Sequence, residues 1–371
     1  MVFRNALICD EDFKLVKSDL EINGEIIASV GESGKDGIDC AGKVILPGFI
    51  DIHIHGCNGA DCTDGKPDSA EKMSGYLASV GVTSFCPTTM TLPAERLKES
   101  FKYINETAGR EPGARIAGIN AEGPFISPSR KGAQDERNIL PPDIELFNEL
   151  NNISKIKLID IAPEINGADE FIRRVSRVCT VSAAHTDADY DTAMNAFKNG
   201  ITHCTHLFNA MRGLGSREPG LVGAVFDSDK VTAELICDGV HISAATLRIA
   251  FRQLGYDRTV VISDSTMAAG LPDGDYCLGG QAVVKKNGAV RLPDGTLAGS
   301  SANLFEEFKN LLSFGIPGEQ AIRSVTINPA RVIGEDKSTG SISPGKKADF
   351  IIVDKSFSAV ECTYVGGKRV F

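Results

Sequence analysis

The apolar and polar positions of this chain fall into two regimes. Residues 1–45 alternate short apolar runs with turn signals, notably Asn23-Gly24 between "LVKSDLEI" and "EIIASVGE". The last 25 residues do the same, with "ADFIIVD" followed by "AVECTYVGGKRVF" folding at Gly366-Gly367. This is hairpin chemistry without a helical period. Two β-rich ends around a different middle predict a small β-sandwich domain assembled from residues 1–48 and 336–371.

Between them, strand-like and helix-like segments alternate. Eight β-like runs cover residues 49–55, 82–89, 115–122, 156–164, 178–185, 201–206, 232–238 and 259–264. Amphipathic stretches such as "PDSAEKMSGYLASVG", "PAERLKESFKYINETAG", "DADYDTAMNAFKNG" and "SAATLRIAFRQLG" follow most of them. Such alternation means parallel strands with crossover helices, and eight strands favour a closed (β/α)8 TIM barrel over residues 49–335. Nearly every run is apolar until it finishes in His, Glu, Asp or Thr, on the face where barrels of this kind place their chemistry. After the eighth run, residues 273–297 interrupt the alternation and predict a β-hairpin insertion over the barrel mouth.

Composition narrows the class. The 371 residues carry a net charge of −10, with 42% hydrophobic and 24% charged positions, which describes an acidic globular protein. A negative surface argues against nucleic acid as a partner. The chain has no long apolar run, and its first 20 residues mix charges among apolar side chains, so neither a membrane span nor a signal peptide is expected. Ten scattered cysteines, never spaced Cys-x-x-Cys, are expected to be free thiols of a cytoplasmic protein.

The chemistry collects at the run ends. In "PGFIDIHIHG", His53 and His55 are two residues apart, so a strand turns both rings to one side and one ion can be chelated by the pair. Glu122, His185, His206 and Asp264 end later runs. Four imidazoles and two carboxylates make a nitrogen and oxygen set suited to Zn²⁺, Fe²⁺, Mn²⁺ or Co²⁺. With only six histidines in the chain, four at run ends point to a metal site. His203, three residues before His206, turns to the opposite face and is expected to be structural, and Cys204 is expected to be a buried thiol.

Seven segments, "PGFIDIHIHG", "AEGPFISPSRKGAQ", "THLFNAM", "REPGLVGAVFD", "ICDGVHI", "SDSTMAAG" and "LAGSSANL", occur in order over most of the chain. Together they resemble the N-acetylglucosamine-6-phosphate deacetylases of the amidohydrolase superfamily. The resemblance implies that Glu122, His185 and His206 hold a principal metal, that His53 and His55 help hold a second, and that Asp264 is the acid/base. The implied reaction removes acetate from the acetamide of the 6-phosphosugar. Asp264 takes a proton from the attacking water and returns it to the departing amine. Arg217 and the backbone at Asn209-Ala210 are implied to bind phosphate, His241 to meet sugar hydroxyls, and Gln134 and Ala298 to complete the substrate site. The resemblance further implies a homodimer in which Arg217 reaches the neighbouring site.

Two positions depart from the family pattern. Gln134 stands where many members carry histidine near the substrate carbonyl, so it can donate a hydrogen bond but carry no charge. "SDS" replaces the usual Thr-Asp-Ala but keeps the Asp. Three other readings remain: the galactosamine epimer as substrate, a cyclic-amide hydrolase with a carbamylated lysine at the end of strand four, and a non-catalytic scaffold. The strand-four run ends in Glu164 with its lysines at the start, and all six ligand candidates are present.

Overall fold

A computed structural model describes all residues, Met1–Phe371. The two termini build one eight-stranded sheet, in which Lys43–Pro47 pairs in parallel with Val2–Cys9 and antiparallel with Phe350–Asp354. The two central strands are apolar between Val44 and Pro47 and between Phe350 and Val353, because both faces are covered there. Val44, Leu46, Ile351 and Val353 join the large core cluster that includes the barrel, whereas Ile45, Phe350 and Ile352 join a separate cluster with Phe3, Leu20 and Tyr364. The alternation follows from the two-residue period of a strand. Phe350 and Tyr364 stack at 4.6 Å, and Phe3 meets both edge-on. Removing Phe3 would cost about 3–5 kcal/mol. Gly366 and Gly367, at φ 55° and 71°, form the expected two-residue turn. The first hairpin is shifted by one residue: Asn23 still pairs with Ile26, and the turn is Gly24-Glu25, where only the glycine must take positive φ.

All eight runs of the middle are strands: Phe49–Ile54, Val82–Thr89, Ile119–Phe125, Ile156–Ile161, Thr180–Ala183, Ile201–Cys204, Thr232–Ile236 and Thr259–Ile262. Each pairs in parallel with the next. The third is broken, its beginning split off as Arg115–Ile116. The eighth strand returns beside the first, where the Asp264 N–H donates to the His53 carbonyl at 3.0 Å and the His55 N–H to the Ser265 carbonyl at 2.9 Å. Helices Ser69–Ser79, Ala94–Thr107, Tyr190–Asn199 and Ala244–Leu254 stand where amphipathic stretches were expected. No helix is long and apolar enough to cross a membrane.

The insertion differs from the expected hairpin. Gly274–Leu278, Gln281–Lys286, Ala289–Arg291 and Leu297–Ser300 form a four-stranded antiparallel sheet, because the chain after the second strand turns back twice more before the next helix. Its last strand and the residue before it bring Thr296, Leu297 and Gly299 to the site described next.

Candidate metal centre and active site

Five of the six ligand candidates sit at or just beyond the carboxyl ends of barrel strands and Glu122 in the middle of the third, and the backbone there is unusual. His185, His206 and Asp264 have φ of 45°, 31° and 45°. Non-glycine residues adopt this left-handed conformation rarely, at a cost that clusters at functional sites. Here it bends each side chain inward at the point where regular strand pairing stops. Gly299 shows how tightly the wall closes: a Cβ there would lie 2.8 Å from the Asp264 carbonyl oxygen.

The side chains form two buried groups, His53 with His55 and Asp264, and Glu122 with His185 and His206. In the second, His185 Nε2 and His206 Nε2 lie 3.1 and 3.0 Å from Glu122 Oε1 and 3.2 Å from each other. In the first, Asp264 Oδ1 is 3.2 Å from His55 Nε2 and 3.5 Å from His53 Nε2. Glu122 joins the groups, since its Oε2 lies 3.3 Å from His55 Nε2. The carboxylate that lies between the two groups therefore comes from strand three.

The donor set fits a divalent ion. A tetrahedral ion with bonds of about 2.0–2.1 Å keeps its ligand atoms about 3.3 Å apart, close to the spacing around Glu122 Oε1. Three rings have their outer nitrogen engaged: His53 Nδ1 with Glu234 Oε2 at 3.0 Å, His55 Nδ1 with the Thr88 carbonyl at 3.0 Å, and His185 Nδ1 with the Arg130 carbonyl at 2.9 Å. Each acceptor fixes the proton on Nδ1 and leaves the Nε2 lone pair facing inward. His53 Nε2 is buried with no hydrogen-bond partner at all. Burial would lower the pKa of His55, yet hydrogen bonds to Asp264 and Glu122 push it up to about 10. Burial would likewise raise Glu122, but hydrogen bonds to His185, His206 and His55 take it well below the usual carboxylate range. The imidazoles and carboxylates at the floor of the site thus stabilise one another's charges.

Above this floor opens a cleft of about 680 Å³, its mouth included. Gln134, Asn209, Ala210 and His241 line it together with His55, Glu122, His185, His206 and Asp264. Asp264 keeps 10% side-chain exposure, the most among the six, so it is the ligand candidate that best faces the cleft. His241 Nδ1 lies 2.7 Å from the buried Asp238 carboxylate, which directs its other nitrogen away from Asp238. The Ala210 N–H makes no hydrogen bond within the chain, on a loop where Phe208 and Ala210 have φ of 82° and 50°.

Two expected site residues lie elsewhere. Ala298 is fully buried, because strand alternation turns 297 and 299 to the cleft and 298 to the core. Arg217 is exposed on the loop after Met211 and does not line the cleft of its own chain. No lysine or arginine lines that cleft. His203 is turned away from the cleft, and its Nε2 bonds Glu234 at 3.1 Å. Glu164 lies outside the centre, holding the Asp187 N–H at 2.7 Å and the Thr186 hydroxyl. The lysines of strand four are likewise remote, Lys157 pairing with Glu335 at 2.7 Å, so no lysine bridges the two groups. The sequence reading missed Glu234, Asp238 and the cleft-lining Met90, Leu278, Thr296 and Leu297. A charged residue in the apolar run "TAELI" was the available signal for Glu234.

Comparison with known proteins agrees with this geometry. Residues 44–370 match the amidohydrolase family. The chain is 38% identical to an N-acetylglucosamine-6-phosphate deacetylase of Bacillus subtilis (strain 168), over 86% of this chain and 83% of that protein. It is 32% identical to an N-acetylgalactosamine-6-phosphate deacetylase of Escherichia coli O157:H7, over 95% of each. The crystal structure of N-acetylglucosamine-6-phosphate deacetylase from Thermotoga maritima superposes with a TM-score of 0.92 at 33% identity, covering 100% of this chain and 99% of that one. A barrel with its ligand groups at the strand ends, matched along nearly its whole length by such relatives, belongs to the amidohydrolase family.

Proposed function

We propose that this protein hydrolyses the acetamide of N-acetylglucosamine 6-phosphate, releasing glucosamine 6-phosphate and acetate. The observation that carries the reading is the placement of Asp264 at the edge of the two ligand groups, with its carboxylate facing the cleft that Gln134, Asn209, Ala210 and His241 line. When bound, a divalent ion supplies Lewis acidity and makes water more acidic. His53, His55 and Asp264 would hold one ion and His185 and His206 another, with Glu122 between them. Zinc or iron fits this set first, and manganese or cobalt also fits. Asp264 takes the proton of the attacking water and delivers it to the amine nitrogen, which leaves poorly unless protonated. His241, held by Asp238, is placed to meet sugar hydroxyls.

The phosphate needs a cation that this chain's own cleft lacks. The Ala210 N–H supplies one donor, and Arg217 of a second copy supplies the charge in a homodimer with shared sites. Ten free thiols suit a reducing cytoplasm. The test is acetate release from the 6-phosphates of N-acetylglucosamine and N-acetylgalactosamine, with metal content measured on the same sample. Release from the glucosamine epimer at the higher kcat/KM supports the reading, and preference for the other reassigns the substrate, as the E. coli relative's name would suggest. Release from neither, with metal bound, overturns it.

A further inference from the structure

Glu234 sits in the middle of the seventh barrel strand, fully buried. Three donors converge on it. His53 Nδ1 lies 3.0 Å from Oε2, the His206 backbone N–H 3.2 Å from the same oxygen, and His203 Nε2 3.1 Å from Oε1. His203 is itself held at its far side, with Nδ1 2.6 Å from Thr232 Oγ1. An ionised carboxylate only accepts hydrogen bonds, so each ring must present N–H to it. For His53 this leaves Nε2 as the lone-pair atom, at 3.6 Å from Glu122 Oε1 and 3.5 Å from Asp264 Oδ1.

His53 differs in this from its neighbours. His55 and His185 are oriented by backbone carbonyls, which no substitution removes, whereas His53 depends on one side chain. We propose that Glu234, clamped by His203, is a positioning residue that fixes the tautomer and ring orientation of His53 and thereby sets the metal affinity of the His53, His55 and Asp264 half of the centre. The proposal rests on the binuclear reading above. It also gives His203 a role: by occupying Oε1 it keeps Oε2 turned toward His53.

The test is a Co²⁺ titration of metal-free full-length protein, read by visible absorption and by counting bound metal, with the melting temperature of the metal-free form recorded alongside. The parent is expected to bind two equivalents. Glu234→Gln, which keeps the size but loses the charge, and Glu234→Leu, which also loses the acceptor, should weaken one equivalent by about 10-fold to 100-fold, the usual effect of removing an outer partner of a metal-binding histidine. His203→Gln, which leaves Glu234 in place, should weaken the same equivalent by a smaller factor and stands in if either Glu234 variant fails to fold. A role in packing alone would lower the melting temperature of the metal-free protein and leave Co²⁺ affinity within twofold of the parent, and that result overturns the proposal. A parent that binds only one equivalent overturns the binuclear reading itself, which the parent titration shows before any variant is compared.

Discussion

Gln134 Nε2 lies 2.5 Å from Glu122 Oε2, while its amide oxygen accepts the Thr91 N–H at 2.7 Å. The backbone N–H can only donate, so it fixes which way the amide faces and forces the nitrogen toward the bridging carboxylate. Gln134 is therefore engaged with Glu122 as well as lining the cleft. Gln134→Ala would leave the buried Thr91 N–H without a partner, at about 1–3 kcal/mol. A fall of a few degrees in melting temperature is expected, with kcat changed more than KM. Unchanged melting and kinetics would place the side chain outside both roles.

Replacing His53 and His55 together by Ala should remove about one metal equivalent and leave the other on Glu122, His185 and His206. Metal counting on dialysed protein checks this. Unchanged content would exclude a second ion at the His53 and His55 position.

Asp264→Asn should lose about a thousandfold in kcat, because an amide can neither take the water's proton nor return one to the amine. The ion at Glu122, His185 and His206 should persist. Activity within tenfold of the parent would mean another group is the base.

Arg217 should distinguish phosphorylated from free sugar. Leaving a phosphate without its arginine in a buried site costs about 2–5 kcal/mol, or roughly 30-fold to several thousandfold in kcat/KM. Slow turnover of the unphosphorylated N-acetyl sugar should barely change. Because Arg217 does not line its own cleft, mixing Arg217→Ala chains with Asp264→Asn chains should restore activity through hybrid sites. Absence of rescue in verified mixed dimers would argue against the shared site.

Asp349 ties the terminal sheet to the barrel. Its buried carboxylate accepts two bonds from Arg115 at 3.0 and 3.2 Å, one from Thr339 Oγ1 at 3.0 Å and one from the Gly366 N–H at 2.8 Å. Asp349→Ala leaves Arg115, 27% exposed, without its partner. A loss of about 3–5 kcal/mol is expected by chemical denaturation. A change under about 1 kcal/mol would show that solvent satisfies Arg115 instead.

Much of this architecture was legible along the chain. Side-chain direction repeats every two residues in a strand, so the eight apolar runs, the inward pair His53 and His55, and the opposite facing of His203 could be read from spacing alone. The Gly366-Gly367 turn was legible because positive φ at both positions is a local demand that glycine meets. The ligand types were legible because histidines and carboxylates recur together at the ends of apolar runs, although Glu164 and Asp238, which also end such runs, bond Thr186 and His241 instead. Other features depend on contacts between distant segments. Glu234 meets His53 across 181 residues of sequence, and no period in either strand announces that meeting. Ala298 was assigned to the site from its motif, but the register of the inserted sheet decided which of its neighbours face the cleft. The left-handed backbone at His185, His206 and Asp264 is imposed by non-glycine residues closing on a common centre, against their local preference, so local rules could not foresee it. Which side chain stands where was written in the chain; which atom faces the centre was decided for His53, His55 and His185 by tertiary packing, through the hydrogen-bond partners it brought to the far side of those three rings.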